Sequence, residues 1–175
     1  MPITESVLSR YLNPFFIETG SYDGDGIQTA LNVGFNNIIS IELSDHFFEV
    51  CKAKFINYEE VELVLGDSSK VLGSVLGKIQ DSVTFWLDGH YSGAGTAMGD
   101  IECPLLRELE LISRHPIKNH KILIDDMRLW RVNSIYGFGD EEIRRAILKI
   151  NPTYKFNYEN GYVKNDILVA TVDDE

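Results

Sequence analysis

Five short apolar runs, each followed by a segment of helical pattern, occupy residues 15 to 150 of the chain. The runs are FFIET (15–19), NIISIEL (37–43), VELVL (61–65), SVTFWLD (82–88) and KILIDD (121–126). Their length and β-branched content suit strands buried on both faces. The intervening segments, near 25–34, 45–55 and 68–76, from a start between Asp100 and Pro104 through Leu105, Leu109 and Ile112, and from Asp140 to Ile150, space apolar residues for one helical face. Ser44 or Asp45 can cap the second of these, Pro104 suits the first turn of the fourth, and Asp140 caps the last. Strands alternating with helices require right-handed crossovers and a mainly parallel sheet. The chain closes with TYKFNY and DILVATV around a turn containing ENG, a hairpin that must put one antiparallel strand into that sheet. The expectation is an α/β fold with seven strands and helices on both faces.

In open sheets of this kind, ligands bind beyond the carboxyl ends of the strands. That selects Glu18 to Gly26, Glu42, Asp67, Asp88 to His90, and Asp125 with Asp126. The first of these stretches, ETGSYDGDG, is a glycine-rich turn carrying acid. A dinucleotide site wants G-x-G-x-x-G with backbone amides around a diphosphate. Gly20, Gly24 and Gly26 have the wrong spacing, and Asp23 and Asp25 would repel the diphosphate. S-adenosylmethionine has no phosphate and carries a sulfonium and an ammonium, which Glu18, Asp23 and Asp25 suit. Glu42 ends the next strand, where a carboxylate can accept hydrogen bonds from both ribose hydroxyls. In GDSS (66–69), Asp67 can accept from an adenine amino group and Ser68 can offer its N–H. The competing reading makes Glu42 and Asp67 polar strand ends or helix caps.

The 175 residues fit one domain spanning 1–175, and the formal net charge of −11 repels nucleic-acid backbones and acid-rich membrane surfaces. No charged-then-apolar leader is read, and no run is long enough for a membrane span. Cys51 and Cys103 lack zinc-like spacing and read as reduced thiols, so the expected location is cytoplasmic.

The succession E-x-G-x-x-x-G, IEL, GDSS and FWLD resembles the class I S-adenosylmethionine-dependent methyltransferases over nearly the whole chain. The resemblance implies their Rossmann-like seven-stranded sheet with its last strand antiparallel. It also implies a cofactor site in which Glu18, Thr19, Gly20, Ser21, Tyr22 and Gly26 surround the methionine part. Glu42 with Leu43 would take the ribose, Asp67 and Ser68 the adenine, and Asp88 would border the cofactor.

Strands four and five are expected neighbours in this fold, so Asp88, Asp125 and Asp126 should converge at one sheet edge. Clustered like charges call for neutralisation, most simply by Mg²⁺. Pairing with Arg128 or Arg131, or helix capping, is the alternative. The pattern looks like the metal-dependent O-methyltransferases of the catechol type, and further like the macrocin-type sugar enzymes, which have Asp-Asp at the second position. The catechol type has a lysine base where this chain has Tyr91. His90 is the nearer candidate base, with Asp88 as the other catalytic group. The implied acceptor is a small hydroxylated molecule such as a sugar. His90, Tyr91, Arg128 and Trp130 are its expected contacts, unless the aromatics of 127–139 close the core or form a dimer contact. About fourteen residues precede strand one, so a helical cap over the site is short or absent, and a second subunit of a homodimer is a candidate cover.

Overall fold

The computed structural model describes residues 3–89, 103–131 and 136–173. All seven expected strands are present: β1 (Phe15–Thr19), β2 (Ile38–Glu42), β3 (Val61–Leu65), β4 (Val83–Leu87), β5 (Lys121–Ile124), β6 (Lys155–Glu159) and β7 (Ile167–Thr171). They form one sheet in the order β3-β2-β1-β4-β5-β7-β6. The first five strands run parallel, and β7 pairs antiparallel with both β5 and β6. The helices are α1 (Glu5–Leu8), α2 (Asp25–Asn32), α3 (Asp45–Lys54), α4 (Ser68–Leu76), α5 (Leu105–Ser113), α6 (Arg128–Arg131) and α7 (Asp140–Ile150). The two four-residue helices α1 and α6 have no counterpart in the sequence expectation, because one turn is too short to show a periodicity.

Period-two alternation splits the core into two layers. On one face Ile17, Phe85, Leu87, Ile122 and Ile124 meet Leu72 and Leu76 of α4, Leu109 and Ile112 of α5, and Ile143 and Ile147 of α7. On the other, Phe16, Ile38, Trp86 and Leu123 meet Ile27 of α2, Cys51 of α3 and Leu8 of α1. Ser44 caps α3 by accepting from the Phe47 N–H at 3.5 Å. The capping residue of α7 is Gly139, one before the expected Asp140. Glu142 reaches back to accept from the Gly139 N–H at 3.0 Å. Asp140 instead takes Arg144 Nε at 2.9 Å and the Tyr158 hydroxyl at 2.8 Å. Cys51 and Cys103 are free thiols, both pushed up to about 12, chiefly by burial. No helix among the described residues is long and apolar enough to cross a membrane.

A directional histidine relay closes the amino edge of the sheet, away from the strand ends that bear the acids. The Val83 N–H donates to His120 Nδ1 at 3.1 Å, which puts the His120 proton on Nε2. That nitrogen lies 3.1 Å from His115 Nδ1, and His115 Nε2 lies 3.0 Å from the Ile79 carbonyl. A second proton on His120 would point at the Val83 N–H. Burial, then the neighbouring His115 and Lys118, hold His120 down to about 4 from 6.5. The unfolded chain therefore binds more protons between these values. This part of the stability is present above about 6.5 and is lost as pH falls toward 4, by up to about 3 kcal/mol. His120→Gln keeps an acceptor for Val83 and should flatten the pH 4–6.5 limb of chemical-denaturation stability relative to wild type. Parallel curves for the two proteins would contradict the relay.

Candidate functional site

β1 and β4 are neighbours in the sheet but not in the chain, so the crevice between the segments that follow them is the switch point of this topology. The turn after β1 lies directly on the backbone leaving β4. Gly20 has φ +87°, and a Cβ there would sit 2.9 Å from the Asp88 carbonyl oxygen. Any side chain would close the crevice at its base. Two residues on, Tyr22 also has positive φ (45°) and donates its N–H to Glu42 Oε2 at 2.9 Å. The other Glu42 oxygen accepts from the Ser44 N–H at 2.8 Å. Glu42 thus stitches the acidic turn of β1 to the end of β2 while remaining at the carboxyl edge.

Glu18 points into the layer beneath α2, with only 1% of its surface exposed. Its Oε1 accepts from the Ser40 hydroxyl at 2.6 Å, and Ser40 Oγ lies 2.5 Å from Ser21 Oγ. A Cβ on Gly26 would come within 2.0 Å of Glu18 Oε2, so the helix can start here only with glycine at its second residue. Burial pushes the Glu18 carboxyl up to about 8. The Ser40 bond opposes that shift, and the charges of Glu42 and Asp25 add to it. Near neutrality this acid is poised to ionise beside a cation. Asp23 and Asp25 of the same turn are exposed. Lys54 donates to the Asp23 carbonyl at 2.9 Å and lies 3.7 Å from Asp25 Oδ1.

Asp67 caps α4, its Oδ1 accepting from Ser69 N–H at 2.9 Å and Ser69 Oγ–H at 2.6 Å. Its Oδ2 lies 3.7 Å from Lys70 Nζ. Ser68 is buried at the first position of that helix, and Leu43 is half-buried beside Glu42. Thr19 is fully buried, and its Oγ1 has no hydrogen-bond partner among the described residues. A Cβ at Gly89 would stand 3.2 Å from that oxygen and 3.4 Å from Glu108 Oε1. Thr19, Gly89 and Glu108 therefore pack closely at the base of the crevice. Such a hydroxyl, an acidic turn and the glycine-lined base fit a compact cationic cofactor better than a diphosphate.

Glu108 is one residue the sequence reading passed over. It is completely buried on α5, on the same face as Leu105, Leu109 and Ile112. A carboxylate at i+3 on an otherwise apolar stripe is the signal that marks it.

A second acidic group stands across the crevice. Leu87 and Ile124 are the last paired residues of β4 and β5, so Asp88 and Asp125 leave the sheet side by side. Burial holds Asp88 well above the usual carboxylate range, with the charges of Asp125 and Asp126 next in effect. Burial and the Asp126 charge push Asp125 up to about 6. The described carboxylates that converge on a common point are Asp125, Asp126 and Asp166, with one oxygen from each within 4.8 Å of the others. Asp166 was not expected. Because β7 is antiparallel, the residue just before it lies at the carboxyl edge of its parallel neighbours. Asp126 adopts φ +61°, a left-handed conformation unusual for a non-glycine residue. The turn it opens is held by Asp166, whose carbonyl accepts from Met127 N–H at 2.8 Å and whose Oδ1 accepts from Arg128 N–H at 3.0 Å. Three grouped carboxylate oxygens are hard donors of the kind a divalent ion takes.

The same cluster contains a cation of its own. Arg128 Nη1 donates to both Asp126 Oδ1 and Asp166 Oδ2, and its guanidinium carbon lies 5.1 Å from the ring centre of Tyr162. Arg131 donates to the Asn165 carbonyl and stands 5.1 Å over the Tyr158 ring. Arg128, expected at the acceptor, and Arg131 thus both have partners within the protein. Trp130, expected at the same place, is 3% exposed and packs into the core with Tyr136 at 6.1 Å. It lies inside the core rather than on an open face. His90 and Tyr91 lie outside the described residues.

No protein-family model matches the chain, and no curated protein sequence matches it. Solved structures do match. The SAH-bound methyltransferase PaMTH1 of Podospora anserina has 13% identity and a TM-score of 0.65 over 97% of this chain and 76% of that one. An O-methyltransferase of Bacillus cereus in complex with SAH has 11% identity and a TM-score of 0.64, covering 97% and 78%. TomG of Streptomyces achromogenes, an O-methyltransferase involved in tomaymycin synthesis and solved with SAM, has 10% identity and a TM-score of 0.65, also covering 97% and 78%. At these identities the likeness establishes the fold.

Proposed function

We propose that this chain, which has the fold of the class I S-adenosylmethionine-dependent methyltransferases, is itself such an enzyme and O-methylates a small hydroxylated molecule, with a sugar-type acceptor favoured. The observation that carries the reading is the switch-point turn. Its glycines meet the backbone of β4 and the carboxyl of Glu18, its acids exclude a diphosphate, and it is locked to Glu42. Bound there, S-adenosylmethionine supplies a methyl group on a sulfonium, a good leaving group that needs little help beyond positioning. Glu18, Gly20 and the turn to Tyr22 would hold the methionine part, Glu42 and Leu43 the ribose, and Asp67 with Ser68 the adenine. The acceptor's hydroxyl proton must leave as its oxygen takes the methyl. Asp88 and His90 are the groups proposed to receive it.

Asp125, Asp126 and Asp166 are the described residues that would hold a divalent ion, and Asp88 stands beside them. What such an ion contributes is charge that lowers the pKa of a bound hydroxyl. The solved neighbours carrying SAH or SAM are methyltransferases, two of them named as O-methyltransferases, which supports the same reading.

Calorimetric titration with S-adenosylhomocysteine, followed by a screen of hydroxylated acceptors for its release from S-adenosylmethionine, tests the proposal directly. Stabilisation by NAD with none by S-adenosylhomocysteine would refute it. Glu42→Ala removes the acceptor for ribose and frees the Tyr22 and Ser44 amides. Cofactor affinity should fall by at least tenfold, since a hydrogen bond to a charged group contributes about 1.5–3 kcal/mol. An unchanged dissociation constant would remove Glu42 from the cofactor site.

A further inference from the structure

We infer that Arg128 is an internal counter-cation that competes with divalent metal for the acidic edge, so that metal enters only as the guanidinium leaves. The inference deepens the proposed function and rests on it only for what the metal would do in turnover.

Two of the three carboxylates able to share an ion, Asp126 and Asp166, already share one nitrogen of Arg128. An ion bound to the same two oxygens would stand next to a full positive charge. At such spacing like charges repel too strongly for both to stay. The arginine is also placed to move. Its side chain is one-third exposed, whereas that of Asp166 is wholly buried. The main-chain N–H of Arg128 is held by the other oxygen of the same carboxylate, Asp166 Oδ1, so the guanidinium can release Oδ2 and swing out without unwinding α6. Tyr162, largely exposed and 5.1 Å from the guanidinium carbon, covers the outer side of the group. The carboxylates facing Arg128 are Asp126 and Asp166, with Asp125 and Asp88 behind them.

The arrangement differs from an open metal site in what it does to affinity. Metal binding must break two charge-assisted hydrogen bonds before it gains its own, but the one-third-exposed guanidinium is resolvated as it leaves, so apparent affinity is weakened by about ten- to hundredfold relative to the same carboxylates without the arginine. It also offsets part of the charge of the edge with no ion present.

The test uses the full chain and Mn²⁺ or Mg²⁺ alone. Mn²⁺ binding, followed by electron paramagnetic resonance, should be about ten- to hundredfold tighter in Arg128→Met than in wild type, with Arg128→Lys between them. Equal or weaker binding in a folded Arg128→Met protein overturns the inference. Should that variant not fold, nitrogen-15 spectra of the wild-type arginine side chains read the same event. The Arg128 guanidinium signal should shift, and its N–H protons should exchange faster, as Mg²⁺ is added. An Arg128 signal that does not respond to saturating Mg²⁺ overturns it equally. Neither readout involves S-adenosylmethionine or an acceptor, so these results stand apart from success or failure of methyl transfer.

Discussion

Ligand-free protein should lose several kcal/mol of stability between pH 5 and pH 8 through one residue, Glu18. Its carboxyl titrates at about 8 in the folded protein against 4.5 in the unfolded chain, chiefly because burial disfavours the charge. Between those values the folded state binds more protons, so stability falls as pH rises. The contribution is full below about 4.5 and is gone above about 8. The upper bound is about 5 kcal/mol, from the shift at about 1.4 kcal/mol per pH unit. Glu18→Gln keeps the acceptor for Ser40 and the shape beneath Gly26 but cannot ionise. Chemical denaturation of the two proteins at pH 5, 6.5 and 8 should give curves that diverge with pH, the variant becoming relatively more stable. The His120 slope has the opposite sign and lies mostly lower, so the difference between the two proteins is the quantity to read. A constant difference would mean that Glu18 is ionised throughout. A cationic cofactor should reverse the cost by favouring the carboxylate, so S-adenosylmethionine binding near pH 7 should release protons in buffers of differing ionisation enthalpy.

The second large effect is expected at Asp166, buried completely under the Arg128 turn. Asp166→Ala removes a carboxylate from a buried pair and leaves the Arg128 N–H without its acceptor. Loss of one partner from such a pair costs about 3–5 kcal/mol when both are buried. Arg128 is partly solvated and retains Asp126, which places the expectation nearer 2–3 kcal/mol. Relief of repulsion among the neighbouring acids works the other way. For a chain of this size the fall in Tm should be about 4–12 °C. Asp166→Asn, which can still accept from the Arg128 N–H, should lose less. An Asp166→Ala protein as stable as wild type would show that repulsion within the acidic edge cancels the pair, and that the turn needs no buried anchor.

Strands, long helices and the acidic carboxyl edge of the crevice were readable along the chain because each depends on short-range pattern. Apolar runs of four to five residues mark strands, and apolar residues at three- and four-residue spacing mark helices. Acids at strand ends mark the edge where ligands bind, once a parallel sheet is inferred. Glu18, Gly20, Glu42 and Asp67 were placed at that edge this way, and Gly26 with them, although the reason for Gly26 was hidden. The carboxyl of Glu18 fills the space its side chain would need. The acidic edge was only half readable. Asp125 and Asp126 follow β5 in sequence, but Asp166 joins them from a residue forty positions away. It does so because β7 runs backwards beside β5. Inspecting only the carboxyl ends of strands cannot find it. Nor does local pattern distinguish an arginine reaching for an acceptor from one folded onto its own carboxylates, or a tryptophan on a pocket wall from one in the core. Those outcomes depend on which side chains the topology brings within a few ångströms, where Coulomb attraction and apolar burial act. The chain's periodicities therefore carried the sheet and the glycine-rich acidic turn, while the pairing of Arg128, the burial of Trp130 and Glu108, and the arrival of Asp166 followed from packing in three dimensions.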